Sequence, residues 1–404
     1  MKKIRSFETK CKKLGIPLLL IIKLEKLLKE FKGKIYIVGG NVRDLILNES
    51  SKTHPDLVVN IELSKLIFCL KKEKIKFLRI GEEYGSLVVL IKKFKFDFTC
   101  MRKDVETDGR WAKIKFTKDL VEDSKRRDFT INSIYCDTNG NLYDPNDGIK
   151  DLLNKRIRFI GDANKRIKED YLRVLRYFRF SLLISGDLEN NNFKICQKYF
   201  SRLTNLSFER RIQEIKKIIL TEKIEDKVIL KSLKKLFEYT LDSKLNFNNF
   251  TDLCFLESSL KNKSFERRIK FLLRDKSRIP QFFNKNANNS FKSKLISKMN
   301  FKNYSIKELN LKLYKSDKDN TVDQILFDYV DNKISKKKFE EVYNFCINFK
   351  KRKIPLTGND LLKIGFKPGK KMGEALKKLE YFWIDRNFMC TRNECVKFIE
   401  KFLP

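Results

Sequence analysis

Residues 34–44 read Lys-Ile-Tyr-Ile-Val-Gly-Gly-Asn-Val-Arg-Asp, a short apolar run that ends at two glycines and leads into a polar segment. The apolar run predicts a strand, and the segment after the glycines predicts a helix. Paired glycines let the backbone approach a ligand closely, while a helix N-terminus and Arg43 favour anionic oxygens. Two glycines after a strand more often form only a tight turn. Gly39, Gly40 and Arg43 are therefore candidate phosphate-binding residues that need support from elsewhere in the chain.

Working outward from this turn, the chain divides into a β-containing part and a helical part. Short β runs with turn signals occupy residues 34–38, 56–59, 86–91 and 95–101. Helical apolar spacing follows at residues 166–183, 208–220, 227–241 and 265–273. Asp162 and Ser207 stand where N-caps are expected, and residues 278–304 are predicted to be loops. The pattern predicts an α+β fold, in which an N-terminal α/β head with a small mixed sheet precedes an all-helical remainder.

The charge of the chain points to a polyanionic partner. Lys and Arg number 89 against 52 Asp and Glu, which gives a formal net charge of +37. Such an excess is typical of nucleic-acid-binding proteins. The sequence is also rich in Lys, Asn, Ile and Phe, so biased codon usage is an equally good explanation of the charge alone.

Cysteine and histidine content excludes several kinds of site. The nine cysteines are scattered without a C-x-x-C pair, which indicates core residues in a reducing cytosol. His54 is the only histidine, so His-dependent triads and multi-histidine metal sites are excluded. Charged residues interrupt the apolar segment 14–22 well short of a membrane span. Any catalysis must use carboxylates, hydroxyls and cations.

Asp56 and Asp97 form a second candidate site, because each stands in a β run. Alternation along residues 94–99 places Lys95, Asp97 and Thr99 on one face and the phenylalanines toward the core. A lone Asp on such a face is usually only solvated. If Asp56 lies on the neighbouring strand, the two carboxylates can hold Mg²⁺ for phosphoryl chemistry.

Two further segments concentrate cations beside a carboxylate. Residues 126–132 read Arg-Arg-Asp-Phe-Thr-Ile-Asn, where Arg127 suits phosphate and Asn132 could reach a ribose hydroxyl. The alternative is an ion pair at a helix start. In residues 169–180, Asp170, Arg173 and Arg176 recur at three-residue steps, with Arg179 following, so they share a helix face. Surface salt-bridge ladders use the same spacing.

Together these segments carry a resemblance to one family. The G-G-x-V-R-D turn, the R-R-D-F-T-x-N segment and the E-D-x-x-R helix resemble three signatures of the class II tRNA nucleotidyltransferases and bacterial poly(A) polymerases. The likeness is close from about residue 34 to 220 and includes T-D-G-R at 107–110 and S-F-E-R-R at 207–211. It returns at P-L-T-G-N-D-L, residues 355–361. No motif matches residues 221–350.

The resemblance implies four parts and a reaction. The parts are a catalytic head (1–160), a neck that recognises the base (161–225), a helical body (226–350) and a tRNA-binding tail (351–404). The implied enzyme is cytoplasmic and adds CCA to the 3′ end of tRNA from CTP and ATP, with two Mg²⁺ ions, without a template and with no membrane or protein partner. Relatives that add only A, only CC or poly(A) are alternatives that the sequence does not separate.

The resemblance also implies roles for particular residues. Gly39, Gly40 and Arg43 would hold the triphosphate. Phosphate and ribose would be contacted by Arg127, Asp128 and Asn132, and the base would be read by Asp170 and Arg173, with Arg176 and Arg179 nearby. Asp56 and Asp97 would be the catalytic metal ligands.

One departure from the family concerns the metal site. The family places D-x-D at the start of this strand, whereas this chain has His54-Pro55-Asp56. A neutral imidazole is a poor Mg²⁺ ligand and carries no compensating charge. Either the enzyme works with an altered site, recruiting nearby Asp44, or the protein is a catalytically impaired tRNA-binding homologue. Trp111, where many relatives carry His, is a milder departure.

Overall fold

The computed structural model describes residues 2–49, 54–108, 111–184, 191–274, 306–315 and 318–403. The chain separates into two compact units, residues 1–244 and 245–404. The predicted loops at 278–304 lie outside the described residues, as do Gly109 and Arg110 of the T-D-G-R segment. The division into head, neck, body and tail stays a prediction.

The first unit is built on one large sheet with a separate hairpin. Its strands are β1 (Lys2–Lys3), β2 (Ile35–Val38), β3 (Asp56–Val59), β4 (Lys76–Leu78), β5 (Ser86–Ile91), β6 (Phe94–Cys100), β7 (Arg102–Asp108), β8 (Trp111–Phe116), β9 (Tyr135–Asp137) and β10 (Asn141–Tyr143). The large sheet has the order β1-β10-β9-β2-β3-β6-β5-β4, and β7 pairs with β8. Only β3 and β6 run parallel among these pairs, so the sheet is mixed as predicted.

Helices follow and flank the sheet in the first unit. They are α1 (Phe7–Lys13), α2 (Leu18–Leu27), α3 (Gly40–Leu47), α4 (Leu63–Lys72), α5 (Leu120–Lys125), α6 (Gly148–Leu153), α7 (Ala163–Glu169), α8 (Leu172–Ile184), α9 (Asn191–Gln197), α10 (Phe208–Ile219) and α11 (Lys227–Leu241). The sheet core contains Ile35, Ile37, Val59 and Phe96, all fully buried. Asp162 caps α7 as predicted, with its side chain accepting from Lys165 N, whereas Ser207 precedes α10 without a side-chain cap bond.

The helix predicted over 166–183 is wrong at one point, because it is broken at Asp170. This residue is extended, with φ −155° and ψ 108°, and separates α7 from α8. Its Oδ1 accepts from Leu172 N at 3.0 Å, and its carbonyl accepts from Arg173 N. Asp170 thus satisfies amides that α8 leaves unpaired, which favours a new helix start over continuation.

The described part of the second unit is helical. It contains α12 (Phe250–Ser259), α13 (Phe265–Leu272), α14 (Ile306–Lys315), α15 (Lys318–Val330), α16 (Lys336–Asn348), α17 (Gly358–Ile364), α18 (Lys370–Asp385) and α19 (Arg392–Glu400). The α+β prediction is confirmed. None of the described helices is both long and apolar enough to cross a membrane.

A buried ion network holds α12, α13 and α15 together. Glu257 accepts from Arg267 at 2.9 Å and from Arg268 at 2.6 Å, and Asp323 accepts from Arg267 and Lys270. Such buried charges persist only when each is paired. The two arginines belong to Ser-Phe-Glu-Arg-Arg-Ile at 264–269, which repeats the hexapeptide at 207–212.

Candidate active site

One open cleft of about 760 Å³ in the first unit collects twelve of the predicted site residues. They are Gly39, Gly40, Arg43, Asp56, Asp97, Arg127, Asp128, Asn132, Asp170, Arg173, Arg176 and Arg179. These residues come from the turn after β2, from α3, β3, β6 and α8, and from the connections around α5 and α7. His54 is exposed and does not line the cleft. The volume falls in the range of small-molecule sites.

The glycine turn between β2 and α3 lies against one of the carboxylates. Gly39 has φ 67° and ψ −129°, a conformation that residues with a Cβ rarely adopt. A Cβ at Gly39 would lie 3.4 Å from Oδ2 of Asp56. Asp56 N donates to Oδ1 of buried Asn41 at 3.3 Å, which fastens the start of β3 to α3. The turn and the carboxylate are therefore built as one unit.

Asp56 and Asp97 are direct neighbours across the parallel pair β3–β6. Partial burial in the cleft and the charge of Asp97 raise the pKa of Asp56. Lys95 lies 3.7 Å from Asp97 on the same face. Two neighbouring carboxylates in an open cleft fit Mg²⁺, which commonly takes one or two carboxylates and completes its shell with water and substrate phosphates.

A third protein ligand is missing from the described residues. Among them no group of three His, Cys, Asp or Glu side chains is arranged to hold a metal. Asp44 does not line the cleft, and its charge acts on Arg43 instead. The recruitment of Asp44 or His54 therefore has no support in the geometry.

Three guanidinium groups surround the ring of Phe180 at one wall of the cleft. Arg43, Arg176 and Arg179 lie 4.9, 5.4 and 4.1 Å from the ring centroid. Burial lowers the pKa of Arg43 to about 10, and the charges of Arg179 and Arg176 add to that effect. Like charges held this close favour a bound polyanion.

The segment 126–132 joins this wall to the rest of the cleft. Arg176 donates to Oδ2 of Asp128 at 2.5 Å, while Asn132 donates to Oδ1 of Asp128 and accepts from Arg43. Burial disfavours the charge on Asp128, but the charge of Arg176 and the hydrogen bonds from Asn132, Arg176 and Phe129 N together outweigh it and lower the pKa of Asp128 to about 2. Arg127 is held by Asp123 at 3.1 Å. The ion pairs of this segment thus orient groups that face the cleft.

Asp170 and Arg173 reach the same cleft, and each is held by a second charged residue. Arg210 donates to Oδ2 of Asp170 at 2.7 Å. Arg173 donates to Glu169 at 2.5 Å and to the carbonyl of Arg166 at 2.6 Å. The arrangement is therefore not a salt-bridge ladder along one helix, since the partners come from α7, α8 and α10.

The cleft also contains residues to which sequence reasoning gave no role. Tyr84, Ser86, Thr99, Arg102, Arg126 and Lys217 line it. Arg210 and Glu169 do not line the cleft, but they hold Asp170 and Arg173, which do. Glu169 and Arg210 belong to the motifs at 169–180 and 207–211, so the sequence did mark them as residues of interest. No spacing rule, however, predicts that Arg210 contacts Asp170, which lies 40 positions away.

Comparison with known proteins decides the relationship. Residues 35–158 match the poly A polymerase head domain family. The mitochondrial CCA tRNA nucleotidyltransferase 1 of Mus musculus is 28% identical over 405 residues, covering 94% of this chain and 89% of that protein. The chain is a homologue of the CCA-adding enzymes.

Two further comparisons agree with this relationship. The CCA-adding enzyme of Streptococcus pyogenes serotype M2 is 34% identical over 195 residues, or 48% of this chain and 47% of that enzyme. The crystal structure of the Bacillus stearothermophilus CCA-adding enzyme in complex with CTP is 20% identical, with a TM-score of 0.68, and covers 95% of this chain and 97% of that one. At that identity the structural match establishes a shared fold, and the match extends over almost the whole length of both chains.

Proposed function

We propose that this protein is a nucleotidyltransferase that adds or repairs CCA at the 3′ end of tRNA from CTP and ATP, without a nucleic-acid template. One observation carries the proposal. A single cleft unites a carboxylate pair, a wall of guanidinium groups and an Asp/Arg pair suited to the edge of a base. The relatives' names include tRNA nucleotidyltransferase, and the structural neighbour binds CTP.

The guanidinium wall and the glycine turn would hold the triphosphate. Arg43, Arg127, Arg176 and Arg179 supply positive charge, and α3 begins at Gly40, which lines the same cleft. Asn132, fixed by Asp128, would meet the ribose. The nucleotide is thereby oriented with its α-phosphorus near Asp56 and Asp97.

Asp56 and Asp97 would hold a divalent cation, which we propose to be Mg²⁺. When bound, Mg²⁺ lowers the cost of ionising the RNA 3′-hydroxyl and offsets charge on the leaving group. The tRNA 3′-oxygen bonds to the α-phosphorus, the bond from that phosphorus to pyrophosphate breaks, and the hydroxyl proton passes to solvent. The protein positions the reactants and compensates their charge.

Asp170 and Arg173 would select the base. Cytosine and adenine both present an amino donor beside a ring-nitrogen acceptor, whereas uracil and guanine reverse that order. Asp170 would accept from the amino group, and Arg173 would donate to the ring nitrogen. The wrong base leaves polar groups unpaired at a cost of about 1–3 kcal/mol each. Arg210 and Glu169 hold the reading pair in place.

The test is incorporation of labelled CTP and ATP into a tRNA that lacks its CCA end. We expect Asp56→Ala to lose at least about a thousandfold in rate, because one of two metal ligands is removed. Glu73→Ala, an exposed carboxylate outside the cleft, is the matched control and should behave as wild type. An unaffected rate in Asp56→Ala would refute the metal assignment.

A second candidate function rests on the missing third carboxylate. The protein would then bind tRNA without extending it. If the wild-type protein adds no nucleotide and His54→Asp restores addition, the binding function is correct. Activity in the wild-type protein excludes it.

For the compartment we propose the cytoplasm, because all nine cysteines are buried and scattered along the chain without a C-x-x-C pair, as suits core residues in a reducing environment. Fractionation of cells with an antibody to the protein tests this. We also propose that the head, neck, body and tail boundaries drawn from the sequence apply, with the helical remainder contacting the tRNA acceptor arm through its backbone.

A further inference from the structure

The geometry points to a second binding site in the cleft, formed by Tyr84, Ser86, Thr99 and Arg102, that takes the terminal nucleotide of the RNA strand being extended. This inference rests on the proposed function, since it assigns the place of the attacking strand. All four residues line the cleft, and none has a role in nucleotide binding as described above.

Strand order places Ser86, and Tyr84 just before it, on the far side of the carboxylates from the glycine turn, with Thr99 on the same strand as Asp97. The sheet runs β2-β3-β6-β5, so the turn after β2 comes first and Asp56 and Asp97 come next. Ser86 begins β5 directly opposite Thr99 of β6. Tyr84 immediately precedes that strand, and Arg102 begins β7. The carboxylate pair therefore lies between two differently composed walls.

Phosphoryl transfer gives these two walls different partners. The attacking and leaving oxygens stand roughly in line on opposite sides of the phosphorus. If the triphosphate lies on the glycine and α8 side, pyrophosphate departs in that direction. The attacking 3′-oxygen must then approach from the β5 side, where Tyr84 and Arg102 lie.

The chemistry of each wall matches this division. The α8 side presents the guanidinium groups of Arg43, Arg127, Arg176 and Arg179, as several phosphates require. The β5 side presents the guanidinium of Arg102, the neighbouring hydroxyls of Ser86 and Thr99, and the ring of Tyr84, whose own hydroxyl is buried. A terminal nucleotide of RNA carries one phosphodiester, ribose hydroxyls and a base, which suit a single cation, hydroxyl partners and an aromatic ring.

The far wall is held in place by its own contacts. The guanidinium of Arg102 donates to the carbonyl of Tyr84 and lies 6.0 Å from the centroid of its ring. Arg102 N donates to Oδ1 of Asp123 at 3.2 Å, the same carboxylate that holds Arg127. Ser86 Oγ and Thr99 Oγ1 are 3.1 Å apart. Asp123 thus connects the two walls and fixes the distance between them.

Steady-state kinetics of the full-length protein separate the two walls. We expect Tyr84→Ala to raise the KM for tRNA about tenfold through lost stacking, with the KM for CTP unchanged. Tyr84→Phe should stay near wild type, because the ring is retained. Tyr239→Ala, a half-exposed tyrosine outside the cleft, is the matched control. A raised KM for CTP with an unchanged KM for tRNA would overturn the assignment.

Photo-cross-linking tests the site without requiring catalysis. The probe is an acceptor-arm minihelix with 4-thiouridine as its 3′-terminal nucleotide, and the cross-linked tryptic peptide is identified by mass spectrometry. We expect the peptide 80–92, which contains Tyr84 and Ser86. Cross-links confined to other peptides, or none, would overturn the site even in an active enzyme. A cross-link to 80–92 in a protein that adds no nucleotide would keep the site and refute the proposed function.

Discussion

Gly39 occupies a backbone position that a side chain would strain. Its positive φ strains any residue with a Cβ, and that Cβ would contact Oδ2 of Asp56 at 3.4 Å. We expect Gly39→Ala to lower the free energy of unfolding by about 1–3 kcal/mol and to reduce nucleotide affinity. Urea denaturation and CTP titration measure the two effects. Gly161→Ala, also at positive φ but with no heavy atom near its Cβ, controls for backbone strain alone.

Asp56 should show a trade-off between stability and metal binding. Its pKa is raised in the fold by burial and by Asp97, so its ionisation favours the unfolded state. The stabilisation of the fold by protonated Asp56 is fully present below the unfolded pKa of about 3.9, and it is lost as pH rises through the higher pKa of the folded state. At neutral pH in EDTA, we therefore expect Asp56→Asn to be the more stable protein by up to about 1 kcal/mol.

Melting curves at several pH values test whether Asp56→Asn is more stable than wild type. The advantage of Asp56→Asn should vanish near pH 3 and reach a plateau above the folded pKa. Adding Mg²⁺ or Mn²⁺ should raise the melting temperature of wild type and leave the variant unchanged. A variant that is less stable than wild type at neutral pH in EDTA would contradict the raised pKa.

At the scale of elements, the break between α7 and α8 builds the base-reading pair. Asp170 leaves the helix to cap α8, while Arg173 remains inside it. The carboxylate is then held by α10 through Arg210, and the guanidinium by α7 through Glu169. Three helices therefore determine how the two side chains meet a base.

Removing the support of Asp170 should relax base selection. We expect Arg210→Ala to reduce the preference for CTP over UTP about tenfold with little loss of tRNA affinity, because the carboxylate loses its orientation. Arg173→Ala should reduce that preference further. The ratio of kcat/KM for CTP and UTP is the measurement. Unchanged ratios in both variants would remove these residues from base recognition.

Particular elements show how far sequence reasoning reached. The β runs at 56–59 and 86–91 and the helix at 227–241 are found at the predicted bounds, because short continuous apolar runs mark the two strands and helical apolar spacing marks the helix. The break at Asp170 was missed, since Arg173, Arg176 and Arg179 continue the helical spacing through it. Apolar periodicity indicates which face of a helix is buried, but it does not indicate that a side chain caps the start of a new helix.

The repeated hexapeptide shows why partners could not be predicted. Ser-Phe-Glu-Arg-Arg-Ile opens both α10 and α13. In α10 its first arginine reaches Asp170 in the cleft, whereas in α13 the same arginine is buried against Glu257 and Asp323. Identical local sequence therefore has a positioning role in one place and a packing role in the other, as the surrounding fold decides. The twelve cleft residues were predictable only because several motifs coincided.

At the scale of the whole molecule, the net charge of +37 makes a prediction about RNA affinity. If the basic surface binds the tRNA backbone, the logarithm of the association constant should fall steeply and linearly with the logarithm of salt concentration. Raising salt from about 50 to 200 mM should weaken binding by about a thousandfold for six phosphate contacts. Filter binding or fluorescence anisotropy measures it. A flat dependence would favour codon usage as the source of the charge.

The central claim is that one cleft both performs nucleotidyl transfer and chooses the nucleotide by protein side chains. The most direct test sequences the products that the wild-type protein makes from a tRNA ending at the discriminator position, with all four nucleoside triphosphates at equal concentration and Mg²⁺ present. The account predicts extension by C, C and A, after which addition stops. Comparable incorporation of U or G, or no extension at all, would contradict it.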